Sequence, residues 1–131
     1  MRVLLDTSCW LWMVAASTRL GSDARSILWD TRNELLLSAA SSWEIAIKYA
    51  IGKLPLPEPP ERYVPSRMDA TGVTPLRVEH SHALAVTRLP RHHRDPFDRL
   101  LVAQAGLEGV PVMTSDAAFD DYDIEIVSAV A

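Results

Sequence analysis

The stretch RVLLDTS, residues 2–8, decides how the rest of the chain is read. Val3, Leu4 and Leu5 are apolar without alternation, the pattern of a strand covered on both faces, and the run stops at Asp6. CWLWMVAA at 9–16 follows with helical character, so a buried strand feeds a helix at once. The same alternation recurs. SDARSILWDTRN at 22–33 reads as a helix capped by Ser22, and ELLLS at 34–38 as a second buried strand. SSWEIAIKYAIGKL at 41–54 is the next helix, with serine at its start and Gly52 as its stop.

Four of the six residues from Pro55 to Pro60 are proline, which predicts a rigid connector too short to separate domains. A helix is expected from Glu61 to about Ala70 with an interruption at Pro65, then a strand in GVTPLRV, 72–78. EHSHALAVTRL at 79–89 and DPFDRLLVAQAGLEG at 95–109 have helical period, the second closing at Gly106 or Gly109. VPVMTS at 110–115 and YDIEIV at 122–127 read as the last strands. Strands alternating with helices predict an α/β fold with a mostly parallel sheet and right-handed crossovers.

With 131 residues, 48% of them hydrophobic, the chain suits one domain spanning 1–131. Its apolar runs fall short of the ~18–20 residues of a membrane span, and no signal-peptide pattern opens it, so a cytoplasmic location away from membranes is expected. Cys9 is the single cysteine; it has no intramolecular disulfide partner and suits packing as a small hydrophobe. The net charge of −4 conceals a polarity: all 13 Lys and Arg lie at or before Arg99, and only acids follow. That order allows separate acidic and basic surfaces, or simply solvated helix faces.

In an open parallel sheet the ligand crevice lies beyond the carboxyl ends of the strands, which singles out Asp6 and Asp116. Each also fits a cap on the turn after it. Glu44 has two readings: Ser41 and Glu44 match a capping box, with Lys48 as its i, i+4 partner, or the carboxylate joins the site. Asp95 before Pro96 suits an N-cap. Asp98 heads the apolar stripe of Leu101, Val102 and Ala105, so it points inward and needs a partner. Brought together, Asp6, Glu44, Asp98 and Asp116 repel one another unless a cation intervenes, and an all-oxygen set favours Mg²⁺ or Mn²⁺. Such a site suits phosphodiester hydrolysis by metal-activated water.

Thr7, Ser8, Thr114 and Ser115 are candidates for orienting water or a carboxylate, with local backbone bonding as the alternative. In RHHR, 91–94, Arg91 and Arg94 are placed to meet phosphates, unless the segment is only a solvated loop. His92 with His93, and His80 with His82, do not make a zinc pattern. Trp10, Trp12, Trp29 and Trp43 sit in apolar segments; core or subunit packing suits them better than base stacking.

The motifs LLDTS, SAASSWEIAIKYAIGKLPLP, HHRDPFDRLLVAQA and VMTSDAAFDDY, in this order and nearly end to end, resemble the PIN-domain ribonucleases, in particular VapC-type toxins of toxin–antitoxin systems. That resemblance implies a three-layer α/β/α sandwich and a Mg²⁺- or Mn²⁺-dependent endoribonuclease, often a homodimer, held in check by a cognate antitoxin. Position by position, the family's acids fall on Asp6, Glu44, Asp98 and Asp116, with Thr7 and Ser8 beside the first. The motifs do not carry the RNA cut or the antitoxin's class; structured RNA and single-stranded loops of tRNA or rRNA, whose unstacked nucleotides are accessible, are the expected targets. Two rivals come from other classes. A phosphoacceptor receiver domain needs a late lysine, and none follows Lys53. A PIN-like module that binds RNA or protein without cutting differs only in activity.

Overall fold

A computed structural model describes residues 1–91 and 95–131. Among them, β1 (Arg2–Leu5), β2 (Glu34–Ser38), β3 (Thr74–Leu76), β4 (Val112–Thr114) and β5 (Ile126–Ser128) form one sheet in the order β3-β2-β1-β4-β5. Every neighbouring pair is parallel, so the sheet is wholly parallel where a mostly parallel one was expected. Covering it are α1 (Thr7–Ala15), α2 (Ser22–Leu28), α3 (Ala39–Ala50), α4 (Pro60–Thr71), α5 (His80–Ala85) and α6 (Pro96–Glu108). The architecture is a three-layer α/β/α sandwich.

Strand pleating divides the core. Val3, Leu5, Leu35, Leu37 and Met113 face one layer with Trp10, Ala24, Ile45 and Val64, while Leu4, Leu36 and Val112 face Leu101, Val102, Phe119 and Tyr122. This double coverage is why the strands carry unbroken apolar runs. Each such side chain, fully buried, stabilises the fold by roughly 1.5–3 kcal/mol relative to exposure. Pro75 sits in β3, an edge strand, where the missing amide costs no interior ladder bond. Among the described residues no helix is long and apolar enough to cross a membrane.

Several boundaries differ from the sequence expectation. Gly21, not Ser22, is the N-cap of α2, and its side-chain role passes to the carbonyl of Ala131, which accepts from the amides of Asp23 (3.0 Å) and Ala24 (3.3 Å). A Cβ on Gly21 lies 2.1 Å from that oxygen, so only glycine fits. Ser38 caps α3 by accepting from the Ala40 amide, and the helix begins at Ala39 rather than Ser41. Pro65 does not interrupt α4; it lies on the exposed face of the helix, which continues to Thr71. α6 runs through Gly106 and ends at Gly109, whose φ of 66° is left-handed. β5 starts at Ile126, since Tyr122 is buried beneath α6 instead of joining a strand. The helical stretch 79–89 divides into α5 and a short 3₁₀ segment, Val86–Arg88.

Candidate active site

The strand order reverses at β1, with β2 on one side and β4 on the other, and the helices after β1 and before β4 lie on opposite faces. A crevice therefore opens at the carboxyl ends of β1 and β4. Leu5 is paired with Met113, which brings the following Asp6 and Thr114 side by side. α1 and α3 start at this edge because they follow β1 and β2. α6 runs back toward the start of β4, so its first turn, with Asp98, returns to the same edge.

Asp6 has N-cap backbone angles, yet its side chain makes no capping bond. Instead Thr114 Oγ1 donates to Asp6 Oδ2 at 2.8 Å, and the same hydroxyl accepts from the Asp116 amide at 3.0 Å. One threonine thus fixes two of the four acids. Asp116 also caps the 3₁₀ turn Ala117–Asp121 through Oδ1 and the Ala118 amide, at 2.9 Å, so its turn-capping reading holds while its charge acts on Asp6. Thr7 Oγ1 donates to Ser41 Oγ at 2.8 Å, joining the first turns of α1 and α3. Ser41, read from sequence as half of a capping box, is this buried strut instead.

Glu44 lies inside α3 and is 5% exposed, too deep in the helix to cap it. Lys48 Nζ donates to its Oε2, while Oε1 is buried with no hydrogen-bond partner among the described residues. Asp95 caps α6, accepting from the amides of Phe97 (2.9 Å) and Asp98 (3.3 Å). Asp98 is buried, as its place on the apolar stripe required. Trp43 packs edge-on against Phe97, ring centroids 5.2 Å apart, tying α3 to α6 beside Glu44 and Asp98.

Electrostatics link these groups. Burial pushes the Asp6 carboxyl above its usual range, the negative charges of Glu44 and Asp116 add to it, and the Thr114 hydrogen bond opposes it. The hydrogen bond to Glu44 holds the Lys48 ammonium above its usual value against the effect of burial, with Asp95 and Asp98 adding. Burial, with Asp6 next, pushes the Cys9 thiol up to about 12, so it packs as an inert hydrophobe.

Among the described residues no three His, Cys, Asp or Glu side chains are grouped closely enough to hold a metal ion between them, and only Glu44 and Asp116 act electrostatically on Asp6. Mg²⁺ keeps several waters and takes one or two carboxylates directly, so full enclosure is not required. Hard oxygens, a buried Oε1 with no hydrogen-bond partner among the described residues, and the Asp6 carboxyl, pushed up by burial first and by the charges of Glu44 and Asp116 after it, fit such an ion. A cavity of about 180 Å³ lies beside Glu44, lined by Thr7, Ser8, Lys48 and Lys53 among others. Another of about 150 Å³ is lined by Thr114, Ser115 and Asp116. A larger one, about 510 Å³, lies at the opposite edge by Asn33 and Leu35, away from the acids.

Arg91 is exposed; Arg94, with His92 and His93, lies outside the described residues. Sequence reasoning missed Arg99, whose guanidinium donates to the carbonyls of Pro90 (2.7 Å) and Val86 (3.1 Å) and so anchors the segment leading to α6. His82 is buried, accepting at Nδ1 from the Glu79 amide and facing Glu108 at 3.0 Å through Nε2, while His80 is exposed. Of the tryptophans, Trp10 is buried, Trp12 is half-buried, and Trp29 and Trp43 are exposed.

Known proteins carry the same architecture. A structure of VapBC2 from Rickettsia felis bound to a promoter DNA fragment superposes with a TM-score of 0.70 at 14% identity, covering 98% of each chain. DNA-bound VapBC from Salmonella typhimurium gives 0.69 at 17% identity, again over 98% of each chain. At these identities the likeness concerns fold alone. Ribonuclease VapC16 of Mycobacterium tuberculosis is 57% identical over 68 residues, 49% of this chain and 48% of that protein. The match therefore spans about half the length of that curated relative. The PIN domain family profile matches residues 3–125, nearly the whole of a chain whose sheet is wholly parallel, so the chain belongs to the PIN-domain family.

Proposed function

We propose that the protein is a Mg²⁺- or Mn²⁺-dependent endoribonuclease acting in the cytoplasm as the toxin of a toxin–antitoxin pair. The observation that carries this reading is Glu44 Oε1, a buried carboxylate oxygen with no hydrogen-bond partner among the described residues, whose charge, like that of Asp116, acts on the buried Asp6. A buried anion left half-compensated calls for a cation. The relationship to VapC16 supports ribonuclease activity, and the VapBC neighbours support an antitoxin partner.

Asp6, Glu44, Asp98 and Asp116 would hold the ion, which when bound supplies an activated water and a charge for the developing oxyanion. Thr114 keeps Asp6 and Asp116 at a fixed separation; Thr7, through Ser41, sets α3 and hence Glu44. Ser8 and Ser115 line the two small cavities, which supports their orienting water there. Arg91 and Arg94 receive the phosphate backbone, and single-stranded loops of tRNA or rRNA present unstacked nucleotides to them. The outer face of α3, where Trp43, Ile47 and Ile51 recur at helical spacing and are 61%, 36% and 59% exposed, supports a homodimer.

The test is cleavage of mixed tRNA, rRNA fragments and unstructured RNA by antitoxin-free protein in Mg²⁺, Mn²⁺ or chelator, beside folded Asp98→Asn. Metal-dependent cutting lost in the variant is the expected outcome. Metal binding with RNA retention and no cutting favours the non-cutting binding module; unchanged cutting in chelator refutes the proposal.

A further inference from the structure

Among the described residues Glu44 is compensated on one oxygen only, and the group that compensates it is tethered to the same helix one turn later. Lys48 keeps its side chain 46% exposed while its ammonium bonds Oε2 of an acid whose side chain is 7% exposed. The same ammonium lies in the fields of Asp95 and Asp98 as well as Glu44, so it faces acids from both α3 and the start of α6. It also lines the small cavity beside Glu44, with Thr7, Ser8 and Lys53. An ammonium on a flexible four-carbon stem is a mobile point charge, and solvent is open to it.

We propose that Lys48 is a built-in stand-in for a divalent ion: it neutralises Glu44 in the ion-free protein and is displaced from that carboxylate when a cation binds. The proposal rests on the metal-binding reading above and adds a positioning residue to it. The physical reason is competition. A dication drawn to the orphaned Oε1 meets an ammonium across the same carboxylate, and the two like charges repel at close range in a partly desolvated site. The pair also solves a folding problem, since the charges of Glu44 and Asp116 act against an ionised Asp6 before any ion arrives. Lys48 returns part of that stability, at the cost of weaker ion binding. An ordinary exposed i, i+4 pair, by contrast, is indifferent to the ion.

Full-length wild type, Lys48→Met, Lys48→Gln and Lys53→Met are titrated with Mn²⁺ by calorimetry, and their thermal midpoints are measured in chelator and at saturating Mn²⁺. Both Lys48 variants are expected to bind Mn²⁺ about fivefold tighter or more, the scale of a modest coupling between two ligands of one site. Lys53→Met, which removes a charge lining the same cavity, stays within about twofold of wild type. By linkage the midpoint loss caused by Lys48→Met in chelator closes when Mn²⁺ saturates the site. Equal affinity in wild type and Lys48→Met, or an equal midpoint loss with and without ion, overturns the role of Lys48 and leaves the metal reading standing. A gain in Lys53→Met as large as in Lys48→Met overturns it too, since general charge then accounts for the effect. Absence of Mn²⁺ binding by all four proteins overturns the metal reading itself, and this proposal with it.

Discussion

Replacing Thr114 by valine tests the core of the site with almost no change of shape. The hydroxyl makes two bonds, donating to Asp6 Oδ2 at 2.8 Å and accepting from the Asp116 amide at 3.0 Å. A hydrogen bond to a charged, buried carboxylate contributes roughly 1.5–3 kcal/mol, and the bond from the more exposed Asp116 adds little because water replaces it. In chelator at pH 7.5 the variant should therefore lose about 2 kcal/mol. For a chain of this length that corresponds to a fall in thermal midpoint of roughly 6–10 °C. The loss should depend on pH in a defined direction. Asp6 has a folded pKa raised above the ordinary 3.8, so the folded protein takes up a proton before the unfolded chain does. Stability from this group accordingly rises as pH falls through the folded value and levels off below 3.8. Valine removes the one side-chain bond that opposes the rise, so its cost is greatest while Asp6 is ionised and shrinks toward about 1 kcal/mol, a neutral hydrogen bond, once it is protonated. Urea unfolding followed by circular dichroism at pH 7.5 and pH 4 measures both quantities. A loss under about 0.5 kcal/mol, or one identical at the two pH values, would refute the assigned role of Thr114.

Asp6→Asn removes the acid whose ionised form is penalised by burial, so in chelator the variant should be more stable than wild type by roughly 0.5–2 kcal/mol at neutral pH. The difference should close as pH falls toward 3.8; a variant less stable at pH 7.5 contradicts the raised pKa. Replacing Arg91 and Arg94 together should weaken RNA binding and reduce the slope of log affinity against log salt by roughly 1.4, about 0.7 for each phosphate contact to a single strand. An unchanged slope removes the basic segment from the RNA path. Trp43→Ser should convert a dimer to a monomer in sedimentation velocity, and a dimer that persists moves the interface away from α3. Gly21→Ala should cost about 1–3 kcal/mol, because its Cβ meets the Ala131 carbonyl at 2.1 Å and backbone must move. Hydrogen exchange at the Asp23 and Ala24 amides, which bond that carbonyl, locates the loss.

Local sequence already determined much of this protein. The apolar runs at 3–5 and 35–37 specified buried strands because side chains leave both faces of a pleat, and only a covered sheet tolerates apolar residues on both. Asp95 with Pro96 specified a helix start, since the acid's own carboxylate reaches the amides two and three residues on. Asp98 was legible as inward-facing from the helical period alone, and it is buried. These features depend on neighbours within a turn or a strand. Tertiary structure decided the rest. Strand order sets Asp6 beside Thr114 across 108 positions of chain, and no periodicity carries that pairing. Ser41 resembled a cap because serine and glutamate at that spacing serve either purpose; the Ser38 cap and the Thr7 contact settled which. Lys48 was visible as a helical partner of Glu44, but the field of Asp95 and Asp98 upon it arises only where α6 folds back against α3. Periodicity fixes which way a side chain points; what it meets there depends on residues far away in the chain, and that is where the chemistry resides.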